Sequence, residues 1–242
     1  TYTMQQVIDD NISLKNEDTV LISDKEDLEL LDQYLEAGKP VSKYTTFYQT
    51  CDIALTGYRF PLSSTKDKDF INIFNVSGYD WKQEAIMDIA SGKFYSDLYY
   101  QKEIDYSLNV DPWNPIGSAA HPFTGHYEGN RYAIYGLWND TVLSSVTKGA
   151  VGLFDHMKNA TISNLNLCDS FINVRYTDEA GQNANTTISN NCTNNLGVVT
   201  TEAEETTFEC CNIASTTLNI NNIPACGINV GIFAGSASGT ND

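Results

Sequence analysis

The side chains of this 242-residue chain that could act on a sugar polymer are a loose set of acids. Enzymes that hydrolyse or eliminate glycosidic bonds use clustered carboxylates, and the candidates here are Asp155, Asp169, Asp178 and Glu179. A lyase acting on uronates also needs a basic residue beside the substrate carboxylate, yet no Lys or Arg follows Arg175. We therefore interpret these acids as solvated surface. A glycoside hydrolase or lyase is the alternative function.

The three histidines do not form a recognisable catalytic set. His121, His126 and His156 are scattered, and His126 falls in a turn-like segment where a solvent-facing structural role is expected. Asp155 and His156 are adjacent, and neighbours on a strand point to opposite faces, so we expect no Asp–His pair. The sequence contains no H-E-x-x-H, G-x-S-x-G, phosphate-loop or dinucleotide motif. It predicts no catalytic residue.

Aromatic side chains carry the binding hypothesis. Fourteen Tyr, ten Phe and three Trp concentrate between Tyr44 and Trp138, and exposed aromatic faces form platforms for sugar rings and protein partners. Most of these aromatic side chains should lie in the core. Trp113 and Trp138 lie on loop-like flanks and are expected to be exposed ligand-binding residues, with Tyr127 and Tyr132 as second choices.

The six cysteines leave several states open. They are Cys51, Cys168, Cys192, Cys210, Cys211 and Cys226. Cys168, Cys192 and Cys210 or Cys211 are spaced at close to one repeat, which favours stacked, inward-facing free thiols. One or more disulfides stay open, and zinc is disfavoured because no C-x-x-C pair exists. No cofactor is expected. Calcium is compatible with the sequence but is not indicated by it.

Charge and hydropathy exclude several partners. The formal net charge is −17 and the isoelectric point about 4.3, which disfavours nucleic acids and anionic membranes because both attract positive charge. No apolar run approaches the roughly 18–20 residues of a membrane span. The expected partner is a glycan or a protein ligand from a host or the environment.

The elements that would position these side chains differ between the two halves. Sixteen of the 24 Asn lie from Asn159 onward, and this Asn-, Thr- and Gly-rich half predicts short strands and turns. In the other half, a Ser-x-x-Glu capping box at Ser23 and leucines at helical spacing predict a helix that stops at Gly38. An aromatic strand is expected over residues 47–55, and a second copy of this helix and strand over residues 80–108.

Internal repetition indicates a solenoid. V-G-L-F at 151–154 returns as V-G-I-F at 230–233, 79 residues later. The chain stops inside a repeat, so we expect the natural polypeptide to continue and the last coil to be exposed and prone to aggregation. Coils of 20-odd residues would fit about six times after Trp113. Inward residues would be Ile162, Leu165, Leu167, Ile188 and Leu218, with Asn164, Asn190 and Asn212 at corners.

Ordered motifs resemble a bacterial surface-protein family, the GLUG-type repeat proteins. They are W-N-P-I-G-S at 113–118, F-T-G-H-Y-E-G-N at 123–130, I-Y-G-L at 134–137, V-G-L-F at 151–154 and N-A-T-I-S-N-L at 159–165. Glu128 stands where the family usually has Asp, and Asp155 where it usually has Gly. The resemblance covers roughly residues 20–175. It implies a right-handed parallel β-helix on secreted or wall-anchored proteins, including adhesins and non-catalytic regions of immunoglobulin-A-cleaving metallopeptidases.

The sequence thus predicts a mainly β protein: a right-handed parallel β-helix over residues 111–242, preceded over residues 1–110 by a cap region of two similar helix-plus-strand units. The function expected is that of an extracellular, secreted or wall-anchored adhesin-like or structural segment without catalysis. A passive stalk that displays other domains is a third possibility, which predicts a uniformly polar surface.

Overall fold

The computed structural model describes residues 1–55, 112–144, 149–168, 170–177, 194–214, 216–223 and 227–239. Several predictions fall outside these residues. They concern the second helix-and-strand copy at 80–108, the boundary at residue 110, and the side chains of Asp169, Asp178, Glu179, Ile188, Asn190, Cys192 and Cys226.

The described residues form two helices and eighteen short strands, so the predicted mainly β class is confirmed. The helices are α1 (Met4–Asp9) and α2 (Lys25–Glu36). The strands, in chain order, are β1 (Tyr2–Thr3), β2 (Thr19–Ile22), β3 (Thr46–Gln49), β4 (Ile53–Ala54), β5 (His126–Glu128), β6 (Ala133–Tyr135), β7 (Trp138–Leu143), β8 (Phe154–Lys158), β9 (Thr161–Ser163), β10 (Asn166–Cys168), β11 (Phe171–Tyr176), β12 (Asn195–Gly197), β13 (Thr200–Glu204), β14 (Thr207–Glu209), β15 (Asn212–Ala214), β16 (Thr217–Asn221), β17 (Asn229–Gly231) and β18 (Ala234–Ser238).

Every strand pair among these is parallel, and the pairs build five ladders. Ladder 1 is β1-β2-β3-β5-β9-β14, ladder 2 is β4-β6-β10-β15, ladder 3 is β7-β11-β16, ladder 4 is β12-β17 and ladder 5 is β8-β13-β18. Strands of the predicted cap region, β1 to β4, therefore hydrogen-bond into the same ladders as the later strands.

From β5 onward the chain visits the ladders in one repeating order, and we call one such pass a circuit. Circuit 1 spans residues 126–158, circuit 2 residues 161–204 and circuit 3 residues 207–238. Tyr127 pairs with Ile162, 35 residues on, and Ile162 pairs with Phe208, 46 residues on. The expected coil of 20-odd residues is therefore wrong, because each circuit holds up to five strands and their connections.

The predicted helix is present with a different cap. Asp24, rather than Ser23, is the N-cap, and its side chain accepts the Asp27 N–H at 2.9 Å. The Asp27 carboxylate in turn accepts the N–H and hydroxyl of Ser23 at 2.7 and 2.8 Å. Leu28, Leu31 and Leu35 are buried as the spacing predicts. Helix α1 was not predicted, and the strand expected over 47–55 is interrupted between β3 and β4.

The interior is apolar, with an aromatic stack at its centre. Ring centroids of Phe123 and Phe154 lie 5.1 Å apart, and those of Phe47 and Phe123 5.6 Å apart. The inward positions predicted at Ile162, Leu165 and Leu167 are confirmed as buried, whereas Leu218 is only half-buried.

Asparagine has two separate roles in the ladders. Asn164 occupies a corner with φ +52°, as predicted. Asn212 does not; it begins β15 and donates its side-chain N–H to Asn166 Oδ1 at 3.0 Å on the neighbouring strand. Asn229 and Asn195 form the same stacked amide pair at 2.9 Å. Such pairs explain much of the asparagine content of this half.

Close backbone contacts explain the glycines of the repeated V-G-[LI]-F motif. A Cβ on Gly231 would lie 1.9 Å from the Ala234 carbonyl oxygen, and one on Gly197 1.7 Å from that of Thr200. Leu196 and Gly197 pair with Val230 and Gly231. The 79-residue repeat therefore spans two circuits, with L-G-V-V at 196–199 as an intermediate copy.

The last circuit exposes apolar side chains, as expected. Ile232 and Val230 are 57% and 49% exposed, while Val198 and Leu196 of the preceding circuit are buried. No strand stacks on β14 to β18 from the far side within the described part of the chain.

No disulfide joins the four described cysteines to one another, but the predicted inward stack is wrong. Cys210 is exposed with φ +52°, and Cys51, Cys168 and Cys211 are half-buried. Cys168 pairs with Ala214 and not with another cysteine, because the circuits are longer than the spacing assumed. No helix among the described residues is long and apolar enough to cross a membrane.

Candidate functional site

The two tryptophans expected to be exposed are buried. Trp113 is 4% exposed and Trp138 3%. The Trp113 N–H donates to the Trp138 carbonyl at 2.8 Å, and its indole Nε1–H donates to the Leu153 carbonyl at 3.0 Å. The expectation of exposure was wrong because these flanks pack onto ladder strands. In this structure neither ring presents a face to a ligand.

The two predicted ligand-binding tyrosines, Tyr127 and Tyr132, differ in burial. Tyr127 is fully buried, and its hydroxyl donates to Gln49 Oε1 at 3.0 Å. Burial raises the pKa of Tyr127 well above its ordinary value. Tyr132 is 37% exposed at the corner after β5. Of the four predicted ligand-binding residues, Tyr132 is thus the one with accessible surface.

A polar cleft of about 790 Å³ lies where the end of α2 and the segment 114–119 meet ladder 5. We call it the acidic cleft because two acids of α2 and two of ladder 5 line it. Its polar side chains include Asp32, Glu36, Asp155, His156, Thr201 and Glu202. A volume of this size is within the range of small-ligand sites.

His156 is held between two carboxylates in this cleft. Its Nδ1 lies 2.7 Å from Asp155 Oδ1, and its Nε2 lies 2.9 Å from Glu202 Oε2. The hydrogen bond to Asp155 and the charges of both acids raise the pKa of His156 against the opposing effect of burial. When protonated, the ring donates from both nitrogens, which fixes both carboxylates.

The expectation that Asp155 and His156 cannot meet was wrong, because the strand is irregular there. Phe154 pairs with Thr200 and His156 with Glu202, but the regular pairing skips Asp155. The Thr200 hydroxyl donates to the Asp155 carbonyl at 3.0 Å. Both neighbouring side chains consequently reach the cleft, although regular strand alternation would separate them.

Asp32 fixes helix α2 over the cleft. Its Oδ1 accepts the Gly117 N–H at 2.7 Å and its Oδ2 accepts a side-chain N–H of Asn114 at 3.2 Å. Burial raises the pKa of Asp32; the Gly117 hydrogen bond opposes this, while the charges of Glu36 and Asp155 add to it. A carboxyl group with a raised pKa therefore lies near two other acidic side chains, Glu36 and Asp155.

One hydroxyl of the cleft wall is unpaired. Thr201 is 7% exposed and lines the cleft, and its Oγ1 has no hydrogen-bond partner in the described part of the chain. Buried hydroxyls are normally hydrogen-bonded. This one is therefore suited to a water molecule or a ligand group.

The described residues contain no group of three or more His, Cys, Asp or Glu side chains arranged to hold a metal ion. Calcium, which the sequence does not indicate, has no such ligand set in the described ranges.

A Ser–His–Glu cluster that joins β5 to β9 is structural. Glu128 Oε1 accepts the Asn130 N–H at 2.6 Å, and the Ser163 hydroxyl donates to Glu128 Oε2 at 2.7 Å. His126 Nε2 lies 2.6 Å from Ser163 Oγ. With the serine proton donated to Glu128, the imidazole Nε2–H donates to the serine oxygen. Glu128 thus closes the turn that follows β5.

Sequence reasoning missed Asp32 and Glu202. Asp32 and Glu36 stand four residues apart beside the buried leucines of α2, which places both on one face of the helix. Glu202 would have been found by aligning L-G-V-V at 196–199 with the flanking repeats, since this brings it near His156. No protein-family model, curated protein or solved structure matches this chain.

Proposed function

We propose that this chain is a non-catalytic, adhesin-like segment of an extracellular bacterial surface protein, built as a right-handed parallel β-helix of the GLUG type. The fixed order in which the chain visits five parallel ladders supports the β-helix, because a solenoid returns to each face once per coil. The motifs at 113–165 support the surface-protein family. The proposed location is secreted or anchored to the cell wall.

The proposed ligand is a neutral, hydroxyl-rich glycan that binds in the acidic cleft. The observation that carries this proposal is the Asp155–His156–Glu202 arrangement facing Asp32 across the cleft. Fixed carboxylates accept charge-assisted hydrogen bonds from ligand hydroxyls. The net charge of −17 disfavours polyanions. The unpaired Thr201 hydroxyl adds a further polar group to the wall.

A glycoside hydrolase is the second candidate, and Asp32 favours it. A carboxyl group whose pKa is raised can serve as general acid while a nearby ionised carboxylate serves as nucleophile or base. Asp32 and Asp155 line one cleft, and the charge of Asp155 contributes to the raised pKa of Asp32.

The test measures retention of the protein on immobilised plant, mucin and bacterial glycans, with released sugar assayed in the same wells. Retention without release is expected for an adhesin-like module. Release would make the hydrolase the function. The absence of both retention and sugar release for every glycan tested would contradict the glycan proposal and favour a protein ligand or a passive stalk.

Two matched variants locate the binding. Glu202→Gln removes one charge from the acidic cleft, and Glu204→Gln removes one from the same strand, where Glu204 pairs instead with Lys158 at 3.4 Å. Loss of a charge-assisted hydrogen bond is expected to weaken glycan binding about tenfold or more in Glu202→Gln. Glu204→Gln should bind as the unmodified protein does. Equal weakening in both would contradict a site at Glu202.

A further inference from the structure

A second cavity lies on the other side of the end of α2 and has the opposite charge character. Its volume is about 660 Å³. We call it the basic groove. Its polar wall is made by Lys39, Lys43, His121, Thr124 and Asn159, and none of its lining residues is acidic. The chain as a whole, by contrast, contains 31 acidic and 14 basic residues.

Neither lysine has an acidic partner among the residues that the structure describes. Within the described ranges no carboxylate lies within 4.0 Å of either ammonium group, whereas Lys25 and Lys158 pair with Glu29 and Glu204. Two basic groups without counter-charges in one concave site attract an anion, and the shape of the site strengthens the field.

The two ammonium groups are held by aromatic neighbours. Lys39 Nζ lies 5.3 Å from the centroid of the Tyr34 ring and also donates to Asn11 Oδ1. Lys43 Nζ lies 5.0 Å from the Tyr44 centroid. Cation–π contacts of this kind restrict a flexible side chain. These contacts restrict the two lysine side chains that line the groove.

Two further polar groups of the groove are available to a ligand. The His121 ring and the Asn159 side-chain amide make no hydrogen bond to any residue that the structure describes. The Thr124 hydroxyl is already engaged, since it donates to the Val41 carbonyl. The groove therefore offers an amide and an imidazole beside its two positive charges.

The remaining wall is apolar and is formed by Leu35, Pro40, Val41 and Pro122. An inorganic anion would leave this surface unused, whereas the body of an organic anion would cover it. The groove also lacks the arginine fork and the helix N-terminal amides that commonly hold phosphate.

We propose that the basic groove binds a carboxylate-bearing organic anion about the size of one or two sugar rings. The carboxylate contacts Lys43 and Lys39, the amide and imidazole receive the ligand's polar groups, and its body packs on the proline-rich wall. This site is separate from the acidic cleft and does not depend on the function proposed for that cleft.

Calorimetric titration at fixed ionic strength tests the proposal with D-glucuronate, its neutral counterpart D-glucose, and inorganic phosphate. Binding of glucuronate, with glucose binding far weaker and added salt lowering the affinity, is the expected result. No glucuronate binding at millimolar concentration, or equal binding of glucose, would overturn the proposal. Phosphate binding as tight as glucuronate would overturn the organic-anion assignment.

Charge-matched variants decide where the anion binds. Lys43→Gln should weaken glucuronate binding about fivefold or more, and Lys25→Gln, at the opposite end of α2, should not change it. Equal weakening in both would show a general charge effect and overturn the site. Unchanged thermal unfolding of Lys43→Gln separates lost binding from lost fold. The Glu202→Gln variant should bind glucuronate normally, which distinguishes this site from the acidic cleft.

Discussion

Tyr127 is a structural residue whose hydroxyl completes a buried network. It donates to Gln49 Oε1, while Gln49 Nε2 donates to the carbonyls of Cys51 and Ala133 at 2.9 and 3.1 Å. Tyr127→Phe leaves a buried amide oxygen unpaired, so we expect urea denaturation to show a loss of about 1–3 kcal/mol in the free energy of unfolding. Tyr132→Phe, at the surface, should change the free energy of unfolding only slightly. Lost glycan retention at unchanged stability would instead make Tyr127 a binding residue.

His156 makes the stability depend on pH. Its pKa is raised in the folded protein above the ordinary 6.5, so its contribution is fully present below the unfolded-state pKa and is lost as the pH rises through the folded-state pKa. The stability difference between the protein and His156→Gln should therefore be largest in acid and shrink towards alkaline pH. Urea denaturation of both proteins, at pH values from below to above the pKa of His156, measures this difference. A difference that does not vary with pH would contradict the Asp155–His156–Glu202 arrangement.

At the residue scale, the sequence could identify Asp155 and His156 as acid–base groups but not their contact. Strand alternation separates neighbours, and only the interruption of ladder 5 brings both side chains to one side. The exposure of Trp113 and Trp138 was mispredicted for a similar reason. Their burial depends on ladders formed with residues far along the chain, which local sequence does not reveal.

Glycine 197 marks the tight connection between ladders 4 and 5. A Cβ there would meet backbone atoms at 1.7 and 2.7 Å, which cannot move away without shifting a strand. Gly197→Ala should destabilise the protein by several kcal/mol, about 3 or more, as other strained or overpacked sites do. Thermal or urea unfolding measures this loss.

Gly149→Ala is the control for this substitution. The three atoms nearest to its Cβ would all belong to the Leu143 side chain, whose end shifts more easily than backbone does. We expect a much smaller loss of stability. Equal losses in the two variants would contradict the close backbone contact at Gly197.

Among the elements, α2 could be predicted because its signals are local. Leucine spacing and a cap-forming Ser-Asp pair lie within fifteen residues, and only the choice of cap differed. Circuit length could not be predicted in this way. It is set by pairings 35 and 46 residues apart, and the intermediate L-G-V-V copy hides the period because Val replaces the repeated Phe.

For the whole molecule, the apolar end of circuit 3 predicts self-association. Val230 and Ile232 are exposed at the end of the ladders, where no further strand of the described residues pairs with circuit 3. Sedimentation at about 0.15 M salt, where charge repulsion is screened, should show association that increases with protein concentration. Val230→Asp combined with Ile232→Asp should reduce it.

Val142→Asp serves as the control for the end of the ladders. Val142 is 56% exposed but lies on β7, on the side of the molecule, so its substitution should leave association unchanged. A monomer at every concentration, or the same effect from Val142→Asp, would contradict an interface at the end of circuit 3.

The central claim is that a neutral glycan binds in the acidic cleft between α2 and ladder 5. Amide hydrogen exchange of the whole protein, with and without a glycan that retains it, tests this most directly. We expect slower exchange at Gly117, whose N–H donates to Asp32, and along residues 155–156 and 201–202, with no change around Tyr132. Slower exchange around Tyr132 with none in the cleft would contradict it.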